Sequence, residues 1–223
     1  MTFRISMAIV ACACLAAILP AAAQSPHTHQ HSFGDAERWA KVFDDPQRDA
    51  WQKPHQVIQA LKLAPDARVA DLGAGTGYFA ARLSHMVPKG RVYAVDIEPD
   101  MVKYLSERAK REGLSNLVAV KGAPHDPGLP EKVDLVLLVD VYHHVEERSR
   151  YFRRLADDLA PGARLAVIDF KLDSPEGPPV AARIPAAQVR KELEAAGYRL
   201  LEEHAFLPYQ YFLIFRKTEA TTW

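Results

Sequence analysis

Residues 69–83 read VADLGAGTGYFAARL. An apolar strand closes on Asp71, three glycines follow at alternate positions (Gly73, Gly75 and Gly77, with Ala74 and Thr76 between them), and a helix starts near Tyr78. Glycines in such a loop permit a tight turn and let a ligand lie against backbone that a Cβ would cover. The chain around the loop alternates strand and helix. Strands read at 68–71, 91–96, 116–121, 133–139 and 164–170, each short and rich in Val, Leu or Ile, as strands buried on both faces should be. Helices read at about 78–87, 99–112, 146–160 and 185–196. YRLLEEHAF, then LP, then YQYFLIFRK, leaves no room for a crossover helix and reads as an antiparallel hairpin. The pattern predicts an α/β, Rossmann-like three-layer sandwich: a mostly parallel seven-stranded sheet with an antiparallel C-terminal strand.

With 223 residues, 48% of them hydrophobic and 25% charged, the chain has the size and content of one domain with a sizeable core. Lys plus Arg and Asp plus Glu balance at 28 each, so the basic surface that grips a phosphate backbone is not expected, and neither is a nucleic-acid partner. Residues 1–23 carry Arg4, an apolar run from Ile5 to Leu19, Pro20, and Ala21 and Ala23 in an A-x-A arrangement. They read as a secretory signal peptide cleaved after Ala23, with a run shorter than the roughly 20 apolar residues that span a bilayer. Export to the periplasm is expected, with no stable membrane insertion after cleavage. Both cysteines, Cys12 and Cys14, leave with that segment, so the mature chain forms no disulfide. Residues 24–34 read as a disordered tail that binds nothing specific, although His27, His29 and His31 alternate at a spacing that could chelate a divalent ion. Residues 35–64 read as two amphipathic helical pieces around a polar turn, forming a cap on the domain at 65–217, and 218–223 as a tail. Oligomeric state has no signature in the sequence.

Two ligand classes use a loop of this kind. Gly75, Gly77 and Ala80 satisfy the G-x-G-x-x-[GA] dinucleotide fingerprint. Opposing it are Asp71 two residues before the first glycine, the tighter G-x-G-x-G spacing and the antiparallel last strand. A pyrophosphate would be repelled by Asp71, whereas an amino-acid ammonium would be attracted, so the ligand should carry a cation. DLGAGTG, followed by AVDIEPDM and later DLVLLVDVYHH, resembles the class I S-adenosylmethionine-dependent methyltransferases over about Ala67 to Lys217. The resemblance implies S-adenosylmethionine as cofactor. It gives Asp71, Gly73, Ala74, Gly75, Thr76 and Gly77 the methionine end, Asp96 the ribose hydroxyls, and Ile97 a place under the adenine. Family members commonly carry an acidic residue after the third strand that contacts the adenine amino group. Ala123 stands there in KGAPHDPGLP, leaving Asp126 or a backbone group to substitute. Tyr78 is a candidate for cation–π attraction to the sulfonium, or for simple packing.

Methyl transfer is an in-line displacement that needs alignment and, for some acceptors, a base. VDVYHHVEE ends the fourth strand and places Asp140, Tyr142, His143 and His144 at the carboxyl edge of the sheet, where α/β folds bind ligands. Imidazole titrates near neutrality, which makes His143 or His144 a candidate base beside Asp140; the alternative has one histidine bonding backbone at the helix start and the other facing solvent. Asp140 and Asp169 resemble the carboxylate pair of metal-dependent, catechol-type members, but Phe170 stands where those need an amide, and no metal is expected. Trp39, Trp51, Tyr209 and Tyr211 are candidate walls for a small-molecule acceptor. The reading is methyl transfer to a small molecule. Because S-adenosylmethionine is made from ATP inside the cell, the signal-like segment prompts an alternative: an exported, non-catalytic protein that binds adenosyl compounds on the same fold.

Overall fold

The computed structural model describes residues 35–218. The expected signal peptide, the histidine tail and the last five positions, 219–223, lie outside the described residues. The cap comprises α1 (Ala36–Phe43), α2 (Arg48–Gln52) and α3 (Pro54–Leu61), three helices where the sequence suggested two. Lys53 makes the difference: at φ 46° it stops α2 in the left-handed region, and Pro54, which has no amide hydrogen to lose, starts α3.

The domain proper runs β1 (Arg68–Leu72), α4 (Tyr78–Met86), β2 (Arg91–Asp96), α5 (Pro99–Arg111), β3 (Leu117–Lys121), β4 (Val133–Val139), α6 (Arg148–Leu155), β5 (Leu159–Phe170), α7 (Ala186–Ala195), β6 (Tyr198–His204) and β7 (Gln210–Lys217). The sheet order is β3-β2-β1-β4-β5-β7-β6, with β1 to β5 parallel and β7 antiparallel to both its neighbours. This is the Rossmann-like arrangement expected from the pattern. The fifth strand starts earlier than the apolar run suggested, because a register shift between Val133 and Leu135 lets Leu159 pair before the main ladder. The helix expected to reach 160 ends at Leu155 and finishes in a short 3-10 turn, Ala156–Asp158.

Strand alternation divides the core. Leu135, Leu137 and Val139 of β4 pack with Val57 and Leu61 of α3, Phe79 and Leu83 of α4 and Leu105 of α5. Val136 and Leu138 pack on the opposite face with Phe152 and Leu155 of α6 and Val189 and Leu193 of α7. The sheet is covered on both sides, and connections diverge to opposite faces between β1 and β4. That switch point leaves a crevice at the carboxyl ends of the strands, where Asp71 and Asp140 stand. Among the described residues no helix is long and apolar enough to cross a membrane.

Candidate active site

The glycine loop is tied to the end of β2. The Ala74 amide donates to the Val95 carbonyl at 3.0 Å and the Gly75 amide to Asp96 Oδ2 at 2.9 Å, while Asp96 Oδ1 accepts the Glu98 amide at 2.9 Å. Asp96 is nearly buried, and desolvation raises its pKa against these backbone donors. Ile97 beside it is 48% exposed, an apolar face open to a planar ligand. A Cβ built on Gly75, at φ 55°, would stand 3.3 Å from the Phe43 ring, so the loop presents bare backbone toward the cap. Asp71 is 3% exposed; burial pushes its carboxyl up to about 7, opposed by the Ala80 amide and then by the charge of Arg48. The Thr76 hydroxyl is buried without a hydrogen-bond partner among the described residues. A bare-backbone cradle between two acidic strand ends fits a ligand with a cationic amino-acid end and a ribose.

Two expected cofactor contacts are engaged elsewhere. The Tyr78 hydroxyl donates to Asp49, and the guanidinium carbons of Arg82 and Arg48 lie 4.0 and 4.3 Å from its ring centroid. Asp126 accepts the Gly128 amide at 2.8 Å and pairs with Arg154 of α6 at 3.2 Å.

At the carboxyl edge of the sheet, Asp140 follows β4 at φ 60°, a left-handed conformation that aspartate tolerates better than most residues. Its Oδ2 pairs with Arg48 Nη2 at 3.3 Å and its Oδ1 accepts Gln210 Nε2 at 2.5 Å; Gln210 Oε1 in turn accepts Gln52 Nε2 at 2.8 Å. Desolvation raises the pKa of Asp140, with Arg48 the strongest opposing influence. His143 Nδ1 lies 2.9 Å from both oxygens of Asp169, and its backbone amide donates to Oδ2 at 3.1 Å. A carboxylate at Nδ1 sets the tautomer with the proton there and leaves Nε2 able to accept one. His144 is exposed, its ring centroid 4.1 Å from that of His143. The structure therefore separates two histidines that the sequence left equivalent.

Of the expected pocket walls, Trp51 and Tyr209 meet at 6.0 Å, and Phe170 joins Trp51 at the same distance. Trp39 stacks on Phe43 instead, and Tyr211 is buried in the core on the α6 and α7 side, with a hydroxyl lacking a partner among the described residues. Sequence reasoning missed Arg48, Gln52 and Gln210, and considered Asp169 only as a metal ligand. The available signals were the i,i+4 spacing of Arg48 and Gln52, which puts both on one face of α2, and a lone amide heading the apolar row of β7.

Residues 69–162 match the sequence profile of a methyltransferase domain. A crystal structure of an S-adenosylmethionine-dependent methyltransferase from Aquifex aeolicus superposes with a TM-score of 0.75 at 30% identity, covering 81% of this chain and 97% of that one. The chain belongs to the class I S-adenosylmethionine-dependent methyltransferases. Its cofactor is S-adenosylmethionine. Curated relatives include a protein-L-isoaspartate O-methyltransferase from Aeropyrum pernix, 29% identical over 163 residues covering 68% of this chain. A trans-aconitate 2-methyltransferase from Rhodopseudomonas palustris is 30% identical over 142 residues, covering 63%. This methyltransferase spans 57% and 52% of their respective lengths.

For the methyltransferase, Asp96→Ala is expected to weaken S-adenosylhomocysteine binding at least tenfold, because charge-assisted hydrogen bonds contribute roughly 1.5–3 kcal/mol each. Calorimetry on the folded variant checks this, and an unchanged dissociation constant would remove Asp96 from the ribose site.

Proposed function

We propose that this methyltransferase transfers a methyl group to a small-molecule acceptor whose hydroxyl or amine still holds its proton, with His143 as the general base. The observation that carries the reading is the buried pairing of His143 Nδ1 with Asp169 at the carboxyl edge. A carboxylate acceptor is ionised at neutral pH and needs no base; a hydroxyl or ammonium acceptor does. The cofactor supplies a methyl group made electrophilic by the attached sulfonium. Asp71 and the glycine loop hold its amino-acid end and Asp96 its ribose. Asp169 holds the His143 ring so that Nε2 takes the acceptor's proton, while Trp51, Tyr209 and Phe170 give a flat acceptor an apolar wall and exclude water. The relatives' names span a protein and trans-aconitate, so the acceptor is argued from the site alone. The charge and apolar pattern of residues 1–23 further supports export, which cell fractionation tests directly.

The function is tested by incubating the purified chain with phenols, amines, thiols and carboxylic acids and measuring release of S-adenosylhomocysteine. Methylation confined to carboxylates would sink the reading. Turnover is expected to be unchanged in EDTA, because Asp140 is already bonded to Arg48 and Gln210, and Asp169 to His143. Activity lost on chelation and restored by magnesium would instead make the two carboxylates metal ligands.

A further inference from the structure

Like charges directly opposite one another on neighbouring strands cost stability, so such a pairing calls for a reason. At the amino edge of the sheet, away from the crevice, the register sets Arg164 of β5 against Arg216 of β7, and Arg216 against Arg199 of β6. Directly paired residues point to the same face. By strand alternation that face also carries Ala166, Ile168, Phe212 and Ile214, which pack with Leu61 of α3. The three arginines therefore form a row across three strands, where α3 ends.

Little within the chain answers their charge. Arg164 donates to the Leu61 carbonyl that closes α3. The Nε–H of Arg216 is buried without a hydrogen-bond partner among the described residues. Arg199 is exposed, and its side chain has no ion pair or hydrogen bond among them. Glu202 of β6 is the carboxylate that bears on Arg164, and it already holds Lys62 and His204, each at 3.3 Å. Burial depresses the pKa of Arg164; Glu202 opposes this, and the charge of Arg216 adds to it. The guanidinium nevertheless stays protonated. An open cleft of about 590 Å³ adjoins the row, with Lys62, Asp66, Arg68, Asp134, Gly162 and Arg164 in its wall. Arg68 and Asp134 pair at 3.1 Å, so the outstanding charges of the cleft are Asp66 against Lys62 and Arg164.

We infer that this edge is a second ligand site, in which the row of Arg164, Arg216 and Arg199 binds a compact phosphate-rich anion and the cleft beside Arg164 and Lys62 receives the rest of it. The row crosses two strand spacings, roughly 9–10 Å, more than one phosphate group bridges, so a diphosphate is the smallest ligand that engages all three guanidinium forks. The bound anion offsets the repulsion that the empty row carries. Arg164 lies on the strand that carries Asp169, roughly 16 Å of extended chain away, so both sites can be filled at once.

Calorimetry on the full chain at constant ionic strength, with and without saturating S-adenosylhomocysteine, tests the assignment. Pyrophosphate should bind saturably, one ion per chain, in both conditions. Arg216→Gln should weaken it at least tenfold. Arg199→Gln, at an exposed side chain whose loss threatens no packing, should weaken it roughly 3- to 10-fold. Arg150→Gln, which removes an exposed cation of α6, should change it less than twofold. ADP, titrated with the crevice filled, distinguishes the source of the diphosphate: tighter binding than pyrophosphate assigns a nucleotide, weaker binding the free ion, and either sustains the site. Absence of saturable binding, or equal losses in Arg150→Gln and Arg216→Gln, would reduce the row to diffuse surface charge and overturn the inference. So would an affinity unchanged in both Arg216→Gln and Arg199→Gln. Binding that vanishes once S-adenosylhomocysteine is present would put the ion in the crevice instead.

Discussion

His143→Ala should lower turnover by roughly 10²- to 10⁴-fold while leaving the affinity for S-adenosylhomocysteine nearly unchanged. The proposed base acts on the acceptor's proton in the transition state, and the hydrogen-bond partner of its imidazole is Asp169, on β5, rather than a residue of the glycine loop. Asp169→Asn should also be slowed, because the amide can present its NH₂ to Nδ1 and favour the tautomer with the proton on Nε2. His144→Ala, at the exposed neighbour, should cost much less than either. Single-turnover rates on a confirmed acceptor, with circular dichroism to establish folding, make the comparison. Full activity in His143→Ala would leave alignment as the whole of the chemistry; a larger loss at His144 would exchange the roles of the two rings.

Asp71→Asn should stabilise the unliganded chain at pH 8 and impair cofactor binding at least tenfold. In the folded chain burial raises the carboxyl from 3.8 to about 7, so between those values the folded state holds a proton that the unfolded state has released. Stability from this group is therefore greatest in acid, falls as pH rises through that window, and is lowest above about 7. The difference of about three pH units sets a ceiling of roughly 4 kcal/mol on the destabilisation at pH 8. An asparagine has no charge to desolvate and removes it. At roughly 2–4 °C per kcal/mol for a domain of this size, the variant should melt several degrees above wild type at pH 8, with the advantage shrinking toward pH 5. Melting curves at both pH values, with and without S-adenosylhomocysteine, give the result. A pH-independent difference would mean that Asp71 carries its charge without strain.

The fold could be read because its signals are local: apolar strands, a glycine loop with an acidic strand end, and a hairpin too tight for a helix. The placement of Asp71, Asp96 and the His143–His144 pair at the strand ends was legible for the same reason. What stayed hidden are pairings that only the folded chain creates. His143 and Asp169 are 26 positions apart, Arg48 and Asp140 are 92, and Gln52 and Gln210 are 158. Tyr78 and Asp126 show the converse. Both have suitable chemistry at suitable positions, but Asp49, Arg48 and Arg82 engage one, and Arg154 engages the other. Nor does Lys53 look like a helix breaker; it takes the left-handed backbone that ends α2, and Pro54 begins the next helix.

The last strand, β7, lies between β5 and β6, and its first residue, Gln210, reaches both Asp140 and Gln52. During synthesis the glycine loop and its first four strands can leave the ribosome as a parallel half-sheet, but β5 has no outer neighbour and β6 no partner until β7 emerges. Folding from the N-terminus therefore forms the glycine loop first and the bonds of Gln210 last, with closure depending on pairings of long sequence separation, which form slowly. A chain that has emerged only as far as His204 lacks Gln210 and its bonds to Asp140 and Gln52, together with the strand that joins β6 to the sheet.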